Sequence, residues 1–308
     1  MAQNQPQPSS LFAGTDILEN MNPAKSVKVR PGNRRITGKE QFYTPPELAF
    51  RLASSVAEIV GGFANKTVIE PAGGTGSFVK AAKSLGANRV LSFDIEPKAE
   101  GVLLADFLLE SRGLERVTDA VTISNPPFGR NNSLSIPFFN KAAKHSSYIA
   151  FVVPRSWRKW SVTNRLNRNF HLIHDEDLAI DYVDETGEMV WQKARLNTCF
   201  QIWEKRPETR IKVQVVDHGL FTKVKPLEAD VALTVFGYSC GKVRTEFERV
   251  PNSTVMFLKL HDHRVLKALQ SVDFSRFFRN TAYTEALSLQ EIRYLINEAI
   301  LGDPGLEQ

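Results

Sequence analysis

Asn125-Pro126-Pro127-Phe128, with Gly129 behind it, is the stretch whose residue types could do chemistry. The apolar residues Ala120, Val121 and Ile123 lead into it, and strand ends in open α/β sheets are where ligands sit. Two consecutive prolines fix φ and remove donors, so the turn is stiff. The Asn125 amide and the Pro126 carbonyl can then face one point, with the Phe128 ring beside it. Two acceptors and a flat apolar wall suit a planar group carrying an NH2, such as the amino edge of an adenine. The same four residues also read as an ordinary proline turn with Phe128 in the core. The rest of the chain has to separate the two.

A second group of residues reads as a ligand cradle. Thr67–Glu70 forms a short strand, Pro71-Ala72-Gly73-Gly74-Thr75-Gly76 a glycine-rich turn, and 77–87 a helix. Glycines let the backbone approach a ligand closely, and a helix N-terminus favours an anionic group. Asp94 closes the next strand, where an acid can accept from ribose hydroxyls. Asp106-Phe107 closes a third segment and offers an acceptor for an adenine amino group and a ring to stack on it. Each of these also reads as a helix cap or core filling.

The elements that position these groups follow from periodicity. Thr44 is a good N-cap and Pro45 suits the first helical position, so a helix is predicted from about 45 to 60, with Leu48, Leu52, Val56 and Ile59 on its apolar face. Strands are predicted at 67–70, 89–93, 120–124, 147–153, 177–183 and 198–203, with helices between several of them. That alternation predicts an α/β, doubly wound, mostly parallel sheet. Composition shifts near Pro207. Short strands are predicted at 211–216, 232–238, 243–250 and 254–260. Two helices follow, the last opened by a capping box, Ser288 to Glu291. The chain therefore divides into a flexible basic arm (1–40), a catalytic domain (41–207) and a smaller C-terminal α+β domain (208–308).

The 308 residues are 42% hydrophobic and 24% charged, an ordinary globular balance. No apolar run approaches the roughly 20 residues of a membrane helix, and the first ten residues lack the pattern of a signal peptide. A cytoplasmic location is expected. Cys199 and Cys240 give neither a disulfide framework nor zinc spacing, and no metal is expected. Net charge is +5. Lys25, Lys28, Arg30, Arg34, Arg35 and Lys39 form one acid-free run, and Arg155, Arg158, Lys159, Arg165 and Arg168 another. Such clusters are the footprint expected for phosphate contact, or else a solvated face.

Taken together, the set resembles the S-adenosylmethionine-dependent amino-methyltransferases, most closely the gamma group of DNA adenine-N6 methyltransferases. Thr44-Pro-Pro-Glu47 resembles their N-terminal motif and Glu70-Pro-Ala-Gly-Gly-Thr-Gly76 their cofactor loop. Ala105-Asp106-Phe107 resembles the segment that holds the cofactor's adenine, and Asn125-Pro-Pro-Phe128 the catalytic turn. The resemblance covers about 40–205. It implies a Rossmann-like class I methyltransferase fold, S-adenosylmethionine as cofactor, and nucleic acid, first of all double-stranded DNA, as partner, with or without a restriction enzyme.

By position, the resemblance implies that Thr44, Ala72 and the Gly73, Gly74 and Gly76 backbone hold the methionine end. Asp94 would bind the ribose, Asp106 the adenine amino group and Phe107 the adenine face. Asn125 and Pro126 would accept from the target NH2 of a flipped base. Phe128 and a second aromatic, Trp191, would sandwich that base. Arg34, Arg35, Arg155, Arg158 and Lys159 would grip the backbone. Glu70 departs from the commoner Asp and leaves its own cofactor contact open. Rival readings are adenosine-N6 methylation of RNA, glutamine-amide methylation of protein, and an inactive subunit that only binds nucleic acid.

Overall fold

Residues 42–190 and 196–307 are described by the computed structural model. Arg34, Arg35 and Trp191 lie outside them.

The first helix, α1 (Pro46–Val60), buries Ala49, Leu52, Ala53 and Val56 at helical spacing and ends on Gly61 at φ 75°. There the missing Cβ allows the left-handed turn that stops the helix. Thr44 does not cap it: Pro45 occupies the N-cap position and no side-chain cap bond forms. The chain then runs through β1 (Thr67–Glu70), α2 (Ser77–Ser84), β2 (Arg89–Asp94), β3 (Val102–Leu104) and β4 (Ala120–Ser124). After these come α3 (Ser135–Ala142), β5 (Ser146–Pro154), α4 (Trp160–Thr163), β6 (Phe170–Leu178) and β7 (Thr198–Lys205).

These strands form a seven-stranded sheet in the order β3-β2-β1-β4-β5-β7-β6. Pairing is parallel from β3 to β5, and only β7 runs against its neighbours. A mostly parallel sheet of this order, flanked by helices, is the Rossmann-like class I methyltransferase fold, as expected.

Period-two alternation sorts the strand side chains onto two faces. Ala150 and Val152 of β5 and Phe200 and Ile202 of β7 join the cluster with Leu52 of α1 and Phe78 of α2. Ile149, Phe151 and Val153, with Cys199 and Trp203, join the cluster with Phe139 of α3. The central β4 is buried along its whole length. Ala120, Val121 and Ile123 are its apolar residues, and the buried hydroxyl of Thr122 is satisfied by Ser146 Oγ at 2.7 Å. Burial of apolar area on both faces holds the sheet. Cys199 and Cys240 are both buried and free.

β6 begins earlier than the sequence suggested. It spans Phe170–Leu178, not 177–183; only its two ends, Phe170 and Leu178, are buried, and the residues between are exposed or half-buried, as on an edge strand.

Beyond the sheet, β8 (Gln214–Val215), β9 (Phe221–Lys223), β10 (Val231–Thr234), β11 (Val243–Arg244) and β12 (Val255–Leu260) follow. A four-stranded antiparallel sheet takes the order β11-β10-β12-β9. The helices α5 (Val265–Ser271), α6 (Ser275–Phe278) and α7 (Leu289–Leu301) follow it. Val265 and Leu269 of α5 and Ile292, Leu295 and Ile296 of α7 share a core with Leu233 and Leu258. The Ser288–Glu291 capping box forms as predicted.

Glu291 does more than cap. Its carboxylate takes the Lys159 ammonium at 2.9 and 3.0 Å, and Lys159 also donates to the Ala286 carbonyl at 3.2 Å. Both partners are largely withdrawn from water. This ion pair ties the end of the large sheet to α7. Removing one member of a buried pair leaves the other uncompensated, which costs about 3–5 kcal/mol. Lys159→Met is therefore expected to lower unfolding free energy by that order, read from urea midpoints.

Candidate active site

β1 and β4 lie side by side, with Val68 opposite Val121, so the turns at their C-terminal ends are neighbours. The Glu70 carboxylate joins them. It accepts from Ser124 Oγ at 2.6 Å and from the Ala72 N–H at 3.0 Å. Glu70 is buried, and burial pushes its carboxyl up to about 8 against the pull of those two hydrogen bonds, with Asp94 pushing the same way as burial. The open question about Glu70 is thus answered in part: it is a brace between two strand ends.

The raised value has a consequence for stability. Between the ordinary 4.5 and about 8 the folded state keeps a proton that the unfolded chain has lost. Stability therefore falls as pH rises through that window, and the penalty is complete above it. Glu70→Gln keeps an acceptor for Ser124 and Ala72 but does not titrate. Denaturant midpoints measured from about pH 5 to pH 8 should show a shallower decline in the variant, on the order of 2 kcal/mol less.

The glycine turn is held by Asp94. Its Oδ2 accepts from the Gly74 N–H and its Oδ1 from the Glu96 N–H, both at 2.8 Å. Each carboxylate oxygen retains a second lone pair that a hydroxyl could use. Gly74 sits at φ 46°, and a Cβ there would lie 2.5 Å from the Tyr43 ring. A Cβ on Gly73 would meet Ser92 Oγ at 2.2 Å. Only glycine allows the turn to lie this close to its neighbours.

Between this turn and the Asn125 turn lies a small, open-sided cavity, walled by Phe42, Thr44, Ala72, Gly73, Phe78 and Asn125 among others. Asn125 Nδ2 donates to the Phe42 carbonyl at 3.2 Å. That bond fixes the amide orientation. It leaves Asn125 Oδ1 buried and without a partner, and Thr44 Oγ1 is likewise buried and unpartnered. Unpaired buried acceptors are costly and rare. Two of them on the wall of one cavity mark a place built for a polar ligand.

Tyr43 holds the Phe42 carbonyl in place by exchanging backbone hydrogen bonds with Val183, at 3.0 and 3.1 Å, while the Phe42 and Tyr182 rings meet at 5.4 Å. Sequence reading missed Phe42, Tyr43 and Ser124. The aromatic pair just before Thr44 was a signal for the first two. For Ser124 the signal was a hydroxyl at the last position of a buried strand, next to Asn125.

Several expectations are corrected. Phe107 is not open to a ligand: its ring is buried between Phe93 and Phe138, at 5.7 and 5.6 Å, on the α3 face of the sheet. Asp106 is exposed, and its Oδ1 accepts from Leu108 N–H at 2.8 Å, forming a local turn. Phe128 is 8% exposed and packs with the α1-face cluster, so it backs the turn instead of standing free as a platform.

Arg155, Arg158 and Lys159 do not present free charge. Arg155 pairs with Asp177, Arg158 with Asp175 and Asp177, and Lys159 with Glu291. Acids from β6 and α7 thus pair with three of the five cations of a run that looks acid-free in the sequence, and Arg165 and Arg168 are exposed. Among the described residues no helix is long and apolar enough to cross a membrane. No group of three or more His, Cys, Asp and Glu among them could hold a metal ion.

No protein-family model matches the chain, and no curated protein sequence matches it. Solved structures match it at low identity and low TM-score. A candidate RNA methyltransferase from Pyrococcus horikoshii is 20% identical, with a TM-score of 0.44 over 58% of this chain and 94% of that one. The 23S rRNA methyltransferase ErmE is 15% identical, with a TM-score of 0.37 over 55% of this chain and 72% of that one. The M protein of the type I restriction enzyme EcoKI is 18% identical, with a TM-score of 0.39 over 54% of this chain and 44% of that one. The reading that follows rests on the geometry of this site.

Proposed function

We propose that this chain transfers a methyl group from S-adenosylmethionine to the exocyclic N6 amine of adenine in DNA. The observation that carries the reading is Asn125 Oδ1, a buried acceptor with no partner on a residue that lines the cavity, its amide fixed by the Nδ2 bond to Phe42.

The residues present fit the cofactor. Thr44 Oγ1 is an unused hydroxyl on the cavity wall. The first N–H groups of α2 are helix-end donors suited to a carboxylate. In this reading the methionine end lies between Thr44 and Gly73, which line the cavity. Asp94 offers its spare lone pairs to the ribose. S-adenosylmethionine supplies an electrophilic methyl group when bound.

The amine of adenine is a weak nucleophile because its lone pair is delocalised into the ring. Asn125 Oδ1 accepts one N–H and the Pro126 carbonyl the other. Holding both favours a pyramidal nitrogen whose lone pair faces the methyl group. Positioning and preorganised acceptors then supply the rate. The stiffness of the proline pair keeps both acceptors in place without reorganisation. In a duplex the target base must leave the stack to reach them. Residues 208–308 act as the target-recognition part.

Incubation with tritium-labelled S-adenosylmethionine and separate DNA, RNA and protein pools, followed by digestion, tests this. Label is expected in N6-methyladenine from DNA. Label confined to RNA would move the substrate, and label confined to protein, or none, would overturn the reading.

A further inference from the structure

The hairpin between β10 and β11 carries two exposed aromatic rings at its tip. Tyr238 is fully exposed and Phe236 is 48% exposed. The tip is not adrift. Phe236 forms a bridge with Ala286, the Gly237 N–H donates to the Glu285 carbonyl at 3.0 Å, and the Leu287 N–H donates to the Val235 carbonyl at 2.9 Å. The strand-like strap bound there also carries Tyr283, 43% exposed and three residues from Ala286. Three residues of chain reach at most about 11 Å, so Tyr283 lies near the bridge and the three exposed residues all belong to the paired tip and strap. Lys242 and Arg279, both exposed, belong to the same tip and strap, as does the half-buried Glu285.

The strap reaches the reactive end of the large sheet. The Asn197 N–H donates to the Ala282 carbonyl at 2.8 Å, and Asn197 Nδ2 donates to the Tyr283 carbonyl at 3.2 Å. The Asn197 carbonyl in turn accepts from the Arg155 N–H at 3.0 Å, just past the end of β5. Ala282 packs on the cluster that contains Phe128 and Tyr182. β5 is the neighbour of β4, whose end carries Asn125. The strap is therefore tied, through Asn197 and Ala282, to the end of the sheet that carries Asn125.

We infer that the hairpin tip and strap, through Phe236, Tyr238 and Tyr283, form a stacking face for unpaired nucleotides that flank the target adenine, so that the preferred substrate is single-stranded. The inference rests on the adenine-methylating reading above and narrows its substrate. An exposed ring with no aromatic partner gains from a base face, and base faces are available only outside a duplex. Lys242 and Arg279 match the charge of the phosphates beside those bases. The duplex-gripping residues expected at 155–159 are, by contrast, already neutralised within the fold.

The test uses the full chain and fluorescence anisotropy. The probes are a short labelled deoxyoligonucleotide with one adenine and the same strand annealed to its complement. Wild type is expected to prefer the single strand by about tenfold or more, and Tyr238→Ala/Tyr283→Ala to lose about tenfold or more of that affinity. Tyr238→Phe/Tyr283→Phe should restore it, since a face is needed and a hydroxyl is not. Equal binding of single strand by wild type and the alanine pair would overturn the inference, as would preference for duplex in wild type. S-adenosylmethionine affinity, measured by calorimetry on the same samples, separates the two readings. Its absence in wild type counts against the cofactor site, whereas silent ring substitutions in a protein that binds it count against the stacking face alone.

Discussion

Asn125→Ala is expected to lower methyl transfer by about a hundred- to a thousandfold or more, the range lost when one preorganised partner is removed from a reacting centre. Binding of S-adenosylmethionine should change little. The amide makes one hydrogen bond within the protein, to the Phe42 carbonyl, and its other end is unpaired. Truncation therefore removes an unsatisfied buried acceptor as well as a bond, and the fold should tolerate it. Single-turnover transfer beside a calorimetric titration checks both halves. Asn125→Asp makes a sharper comparison. It keeps an acceptor but loses the donor that anchors the side chain to Phe42, so its rate should fall between wild type and alanine.

The second large effect belongs to Gly74. An alanine Cβ there would stand 2.5 and 2.7 Å from two carbons of the Tyr43 ring. Its φ of 46° adds about 1–2 kcal/mol for a residue with a Cβ. The ring must move, and Tyr43 is itself part of the cavity wall. Gly74→Ala is expected to weaken S-adenosylmethionine binding by at least about tenfold and to lower stability by about 1–3 kcal/mol. Residues in contact do not add independently. Tyr43→Ala combined with Gly74→Ala should therefore recover part of the stability lost in the single variant. Calorimetry and urea midpoints read the two effects.

The sheet was legible because its central strands are buried on both faces. β1, β4 and β5 announce themselves as apolar runs bounded by Pro, Gly or Asn. β6 was misplaced because it is an edge strand with an unbroken polar run, His174-Asp175-Glu176-Asp177, and no apolar alternation. Of the apolar alternation Leu178, Ile180 and Tyr182, only Leu178 belongs to β6, and Ile180 and Tyr182 fill the core beyond its end.

The candidate site was legible where its chemistry lies in contiguous residues, at 70–76 and 125–128. It was not legible where contacts cross the chain. Nothing in the order of residues says that Asp175 and Asp177 come back to Arg155 and Arg158, or that Glu291 comes back to Lys159. Phe107 and Phe128 illustrate a related limit. An aromatic ring after a polar motif is equally good as a stacking platform or as core, and packing against Phe93, Phe138 and the α1-face cluster decided for core. Thr44 went the other way: a residue suited to capping is left free for the cavity.

The central claim is that the unpaired oxygen of Asn125 faces the place where the methyl donor sits. A crystal structure with S-adenosylhomocysteine tests it most directly. The account predicts the amino-acid end of that ligand between Thr44 and Gly73, with the sulfur beside Asn125 Oδ1. Ligand bound elsewhere, or an Asn125 amide oxygen satisfied by the protein and turned away from the sulfur, would contradict it.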